Sequence, residues 1–336
     1  MKRLPLLFLH GIRGSRLAIR ENGGARVIWQ LSDEENPQGH LLALCHEAGV
    51  PRPLDPERPV FPLDHEPDVH DAFLCWARRR GPIHAPVWDW RLPPSERAAH
   101  VAAGMPEGPW DVVVHSMGLH LLAELVMQDH LPLTHVRRLA LVTPVFGGAL
   151  DILHVLLSGA DREADCGDAT GRCYGSLVRS LPALYRLLPV PGHGLLLDDC
   201  GRELDPLDPA RWSHEGAADS RRDVLEQMLA GARRDRDTLA AFSTLLPGLG
   251  GRTLALLATG MPTPTRCRME GGTMGCAVSQ VEMSPQGDGR LALRAQLPLG
   301  TPLPHVILGR EEDPVAHGDV LGRSDLLARL ETFLDT

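Results

Sequence analysis

The stretch WDVVVHSMGLHLLAEL, residues 110–125, limits what this chain can fold into more than any other. Trp110 to Val114 is an apolar run of strand length, and from Leu119 the apolar positions take up helical spacing. Only a tight turn centred on Ser116 fits between them. A strand that feeds a helix through so tight a turn lifts the serine hydroxyl above the sheet edge. It also aims the next backbone N–H groups at the same point, so a nucleophile and an oxyanion donor come from adjacent residues. The turn reads VHSMG rather than GxSxG, with Val114 where a small residue is usual, and a branched side chain there must lie flat against the neighbouring strand. Taken alone, the pentapeptide also describes an ordinary buried strand-to-helix junction. The rest of the chain has to decide.

A serine so placed needs a base to take its proton and a carboxylate to orient that base, in the chain order serine, acid, histidine. Between Gly271 and Arg310 the only carboxylates are Glu282 and Asp288, and Asp288 occupies the glycine-bracketed turn GDGR. Two histidines follow. His305 opens the short apolar run HVIL, whereas His317 stands in a loop directly ahead of a final amphipathic helix. Order and setting select Asp288 as the acid and His317 as the base, with His305 a strand-end residue. The second oxyanion donor is expected from the loop after the first strand, His10-Gly11-Ile12-Arg13-Gly14. There Gly11 lets the backbone turn toward a substrate, and the Ile12 N–H joins that of Met117.

Six apolar runs, at 4–9, 83–87, 110–114, 136–142, 253–257 and 305–308, alternate with helical patterns. That alternation predicts an α/β class with a mostly parallel sheet covered by helices on both faces. One domain, 1–336, carries two insertions. Residues 32–82 are rich in proline and acid and are expected to wrap the surface as extended chain and short helices. Residues 147–248 are leucine-rich and fall where a cap or lid would cover Ser116, its apolar underside keeping an acyl chain from water.

A net charge of −9 argues against a nucleic-acid partner. Every basic residue except Lys2 is arginine, and Arg78-Arg79-Arg80 and Arg233-Arg234 are expected on solvated helix faces. The start MKRLPLLFLHG reads as a first strand rather than a secretion signal, and no apolar run approaches the length of a membrane span, so the expected location is cytoplasmic. Seven cysteines without a CxxC pair suggest reducing surroundings; Cys166 with Cys173, and Cys267 with Cys276, are the pairs that could close small loops. No spacing matches a metal site, and neither metal nor cofactor is called for.

Several short segments resemble the lecithin:cholesterol acyltransferase family and come in its order. They are GIRGSRL (11–17) followed by VIWQ, VWDWR (87–91), VHSMG, TPVFGGAL (143–150), LPALYRLLP (181–189), TGMPTPT (259–265) and GDGRLALR (287–294). The resemblance touches residues 4–31, 84–150, 175–191 and 252–334. It implies an α/β-hydrolase fold with Ser116, Asp288 and His317 as catalytic residues. It also implies turnover of lipid acyl esters through an acyl-enzyme, by a lipase, phospholipase or acyltransferase, with transient contact at a membrane surface. Asp89, Trp90 and Arg91 would then lie in a strand-end loop beside the substrate. A thioesterase or amidase would share the same catalytic residues, and a catalytically silent binding scaffold would share the fold.

Overall fold

All six apolar runs are strands of one parallel sheet in a computed structural model that describes residues 3–31, 39–47, 50–53, 55–158, 177–212, 222–274 and 278–336. From edge to edge the strands are His305–Leu308, Thr253–Ala258, Val136–Val142, Trp110–His115, Leu6–Leu9 and Ile83–His84. Every neighbouring pair runs parallel. The chain therefore begins in the interior, steps to one edge, then returns to fill the other side. The reversal falls between Leu6–Leu9 and Trp110–His115, where an open parallel sheet leaves a crevice at its carboxyl end.

Side chains that alternate along a strand enter two separate cores, which is why the strands read as continuous apolar runs. Leu7, Leu9, Val112, Val114, Leu139 and Leu141 face one core. On that side the Gly118–Met127 helix packs between Pro94–Ala103 and Arg222–Leu245. Phe8, Val113, Ala140, Val142 and Leu256 face the other, covered by Pro67–Arg80 and the C-terminal Ser324–Asp335 helix. Val114 sits fully buried between Leu9 and Leu141, flat in the sheet. The close approach that makes small residues usual around the serine is taken up elsewhere, by Gly118, where a Cβ would lie 2.3 Å from the Leu9 carbonyl oxygen.

Three smaller sheets flank the central one. Ser15–Glu21 pairs antiparallel with Gly24–Trp29 and Val60–His65; Thr263–Met269 lies between Leu196–Asp198 and Val278–Ser284; and Leu44–Glu47 pairs with Val50–Pro53. Within 32–82 the structure differs from a wrap of short helices. Pro67–Arg80 is a single 14-residue helix whose Phe73, Leu74 and Ala77 belong to the second core. The prolines around it mask an apolar stripe at helical spacing.

Arg80 also departs from the solvated face expected for it, while Arg78 and Arg79 are exposed. It is buried within 2.8 Å of Asp335 and 3.2 Å of Glu331, and 3.8 Å from the fully buried Asp111, which Arg137 holds at 2.6 Å. An arginine at a helix C-terminus is drawn inward where buried carboxylates need a counter-charge. Cys166, Cys173 and Cys276 lie outside the described residues. Among those described, no helix is long and apolar enough to cross a membrane.

The Gly118 contact is with backbone, which cannot swing aside. Gly118→Ala should destabilise the fold by about 1–3 kcal/mol, the usual range for overpacking, read as a lower urea midpoint at unchanged slope.

Candidate active site

Ser116 has φ of +54°, a left-handed conformation that a non-glycine residue adopts only when its surroundings impose it. Its N–H donates to the Val142 carbonyl at 3.1 Å on one side, and its carbonyl accepts from the Leu119 N–H at 3.1 Å on the other. A Cβ on Gly11 would stand 2.7 Å from the Cβ of Ser116. Glycine at 11 is thus the condition for the first loop to pass the serine, and Ile12 follows it into the cavity wall.

The side chains named from chain order meet here. His317 Nε2 lies 2.9 Å from Ser116 Oγ, and His317 Nδ1 lies 2.7 Å from Asp288 Oδ2. Asp288 is buried and accepts from the N–H groups of Arg290 at 3.0 Å and Leu291 at 2.7 Å through Oδ1. Its carbonyl accepts the His317 N–H at 2.9 Å, so the two residues are tied by main chain as well as side chain. A carboxylate so fixed places the imidazole proton on Nδ1 and turns the Nε2 lone pair toward the serine hydroxyl. The N–H groups of Ile12 and Met117 donate to no backbone acceptor in the turns of the described residues.

The alternatives lie apart. His305 is exposed at the start of the edge strand, its Nδ1 2.9 Å from the Leu303 carbonyl. Glu282 pairs with Arg266 at 3.1 Å. Asp89, Trp90 and Arg91 are not in the cavity wall. Arg91 is buried and bonded twice to Asp89, at 2.9 and 2.6 Å, and reaches the Leu42 carbonyl at 3.0 Å. Trp90 donates its indole N–H to the Ser15 carbonyl at 3.0 Å and packs edge-on against Trp29. These residues clamp the segment after the Gly11 loop from behind. The family resemblance sets these residues beside the substrate, whereas their burial and bonding make them a brace.

Ser116 opens into a cavity of about 510 Å³. Val145, Ile152, Val155, Leu184 and Leu187 form an apolar wall, contributed largely by the helices Leu150–Ser158 and Pro182–Arg186. Arg13, Asp151, Arg290 and Asp319 give the rest a polar character, with Arg290 paired to Asp151 at 3.0 Å.

Sequence reasoning passed over a group of buried histidines beside the serine. Ring centroids of His115 and His317 are 5.2 Å apart, those of His70 and His115 6.1 Å, and His10, His65 and His70 lie 5.4 to 6.0 Å from one another. Burial, with repulsion from His65, pushes His10 down to about 3, and burial pushes His65 down to about 4. Burial likewise holds His70 and His115 well below the ordinary imidazole range, and brings His120, on the serine helix, to about 4. No linear spacing of 10, 65, 70 and 115 announces this group.

The fold is a mixed α/β structure with a parallel central sheet, and at its crevice stands a Ser–His–Asp hydrogen-bond chain. No family model matches the sequence, and no curated protein does. Solved structures do match. A chain of the Tle4–Tli4 complex is 12% identical over 99% of this chain and 98% of that one, with a TM-score of 0.66. The mature Bacillus licheniformis lipase BlEst2 is 11% identical over 99% and 92%, with a TM-score of 0.33. A membrane phospholipase A described as a bacterial virulence factor is 14% identical over 99% and 79%, with a TM-score of 0.34. Of the three, the first superposes closely enough to speak to the fold, and at 12% identity it speaks to the fold alone.

The unfolded chain takes up protons on these histidines near pH 6.5, whereas the folded chain resists until about pH 4 or below. Their contribution to stability is therefore complete above about pH 6.5 and is lost as the pH falls toward about 4. The urea midpoint should stay flat from pH 8 to about 6.5 and then drop, and His120→Phe should make the drop shallower.

Proposed function

We propose that this chain is a serine hydrolase of the α/β-hydrolase type that cleaves carboxylic esters, with lipid acyl esters as the substrate class. The observation that carries the reading is the unbroken chain from Ser116 Oγ through His317 to the buried Asp288 carboxylate, at 2.9 and 2.7 Å, beside an apolar-walled cavity. The order of motifs shared with the lecithin:cholesterol acyltransferase family supports it as well.

In this reading an acyl chain lies along Val145, Ile152, Val155 and Leu184, with its carbonyl over Ser116. His317 Nε2 takes the hydroxyl proton as Oγ attacks the carbonyl carbon, and Asp288 stabilises the imidazolium that forms. The carbonyl oxygen becomes an oxyanion held by the N–H groups of Ile12 and Met117. Collapse breaks the bond to the alcohol, which leaves with the proton from His317, and the acyl group remains on Ser116. Water, activated by the same imidazole, then releases the acid. An alcohol in place of water would make the same machinery an acyltransferase. A bilayer lipid as substrate would bring transient contact with a membrane surface, whereas a soluble ester would not.

Ser116→Ala and His317→Ala should each lower turnover of nitrophenyl esters by at least about 10³-fold while the folded protein is retained. A fluorophosphonate probe should label Ser116 and fail to label the His317 variant. Product analysis on a panel of esters, thioesters and amides reads the substrate class and the acceptor. Full activity in purified Ser116→Ala, or preference for thioesters or amides, would overturn the reading.

A further inference from the structure

We infer that His115 is a positioning residue for His317, acting as a flat, uncharged plate against which the His317 ring is held while it bridges Asp288 and Ser116. The inference rests on the serine-hydrolase reading of the same site. His115 ends the strand that carries Ser116, so its backbone is placed by the same sheet hydrogen bonds that place the nucleophile. Its ring is buried and lies 5.2 Å from that of His317, tilted by 30° to it, so that one ring partly faces the other. His70, from the Pro67–Arg80 helix, meets the His115 ring edge-on at 6.1 Å and is itself packed against Phe8 at 5.4 Å. Contacts with two rings and burial limit how far His115 can tilt.

The His115 ring interacts with the His317 backbone, though neither nitrogen meets strict hydrogen-bond geometry, so the ring adds a flat face beside that polar contact. Serving as a surface also requires neutrality. The titratable groups facing His115 are His317, His70 and His10, with His65 beyond His10 and Asp288 beyond His317. Two buried imidazoles, His70 and His10, and the partly buried His65 lie on the side of the second core, and a proton on any of them would repel a proton on the next. When the serine proton reaches His317 Nε2, the new charge thus stays on His317, opposite Asp288. Loss of the plate leaves that ring held only at its two nitrogens, free to rock out of line with Ser116 Oγ.

The test compares His115→Ala, His115→Leu and His115→Phe on an ester turned over by the parent protein. His115→Ala is expected to lower kcat about 10–100-fold with KM within about twofold, the signature of misplaced chemistry rather than weakened binding. His115→Phe, flat and uncharged, should recover kcat to within about threefold of the parent and leave the acid limb of its pH profile in place; His115→Leu, bulky but not planar, should not. Full activity in His115→Ala, or a His115→Phe as impaired as His115→Ala, overturns the inference.

A second measurement needs no turnover. Nitrogen NMR of ¹⁵N-histidine-labelled protein should show a single Nδ1–H tautomer for His317 in the parent and in His115→Phe, and a mixture in His115→Ala. An unchanged His317 spectrum in His115→Ala also overturns it. A parent protein inactive on every ester would fault the hydrolase reading, while the spectra would still judge the positioning role.

Discussion

The main chain from Leu9 to Gly11 presses directly on the turn that carries Ser116, and the site depends on that approach. A side chain at 118 would meet the carbonyl oxygens of Leu9 and His10 at 2.3 and 2.8 Å, and one at 11 would meet Ser116 itself. Two glycines keep this space open, so that the first strand and the serine strand can be neighbours in the sheet while the loop after one overhangs the turn after the other. The positive φ of Ser116 follows from the same crowding: the chain must leave the strand at His115 and enter the helix at Gly118 within two residues, beneath a loop that is already there.

Around this crossing the protein separates two kinds of buried polarity. Several buried charges are paired: Asp111 between Arg80 and Arg137, Arg91 with Asp89, and Arg186 with Asp235. Each burial cost is offset by a partner within hydrogen-bond reach. Behind the serine, by contrast, the polar groups are imidazoles kept uncharged by desolvation. The carboxylate of Asp288 is the one anion bonded to His317, and its other oxygen is engaged by two main-chain N–H groups. That arrangement favours a single orientation of the His317 ring.

Much of the framework was legible in the residues. The inner strands of the sheet are largely buried on both faces and so stay mostly apolar, while the edge strands His305–Leu308 and Ile83–His84 are partly exposed; their existence shows in composition even though their ends shift by a few residues, the run at 83–87 shortening to Ile83–His84. Ser116, Asp288 and His317 were legible because chain order narrows the choice where proximity is unknown. The small sheets were less visible: their strands are interrupted by proline and half exposed, as in VFPLDH at 60–65. Arg80 looks solvated until its carboxylate partners, distant in sequence, are in view, and the Asp89–Arg91 pair, which the family resemblance sets beside the substrate, is buried as an ion pair outside the cavity wall.

By itself the sequence determined the local choices along the core: which runs form the central strands, where the serine turn falls, and which acid and which histidine follow it in order. Those are decided by side-chain periodicity and by residues a few positions apart. The tertiary structure alone decided the strand order, the cavity wall, the brace made by Asp89 and Arg91, and the gathering of His10, His65, His70 and His115 beside His317. Each of these joins residues far apart in the chain, and burial and contact become properties of a residue only once the sheet has brought its neighbours there.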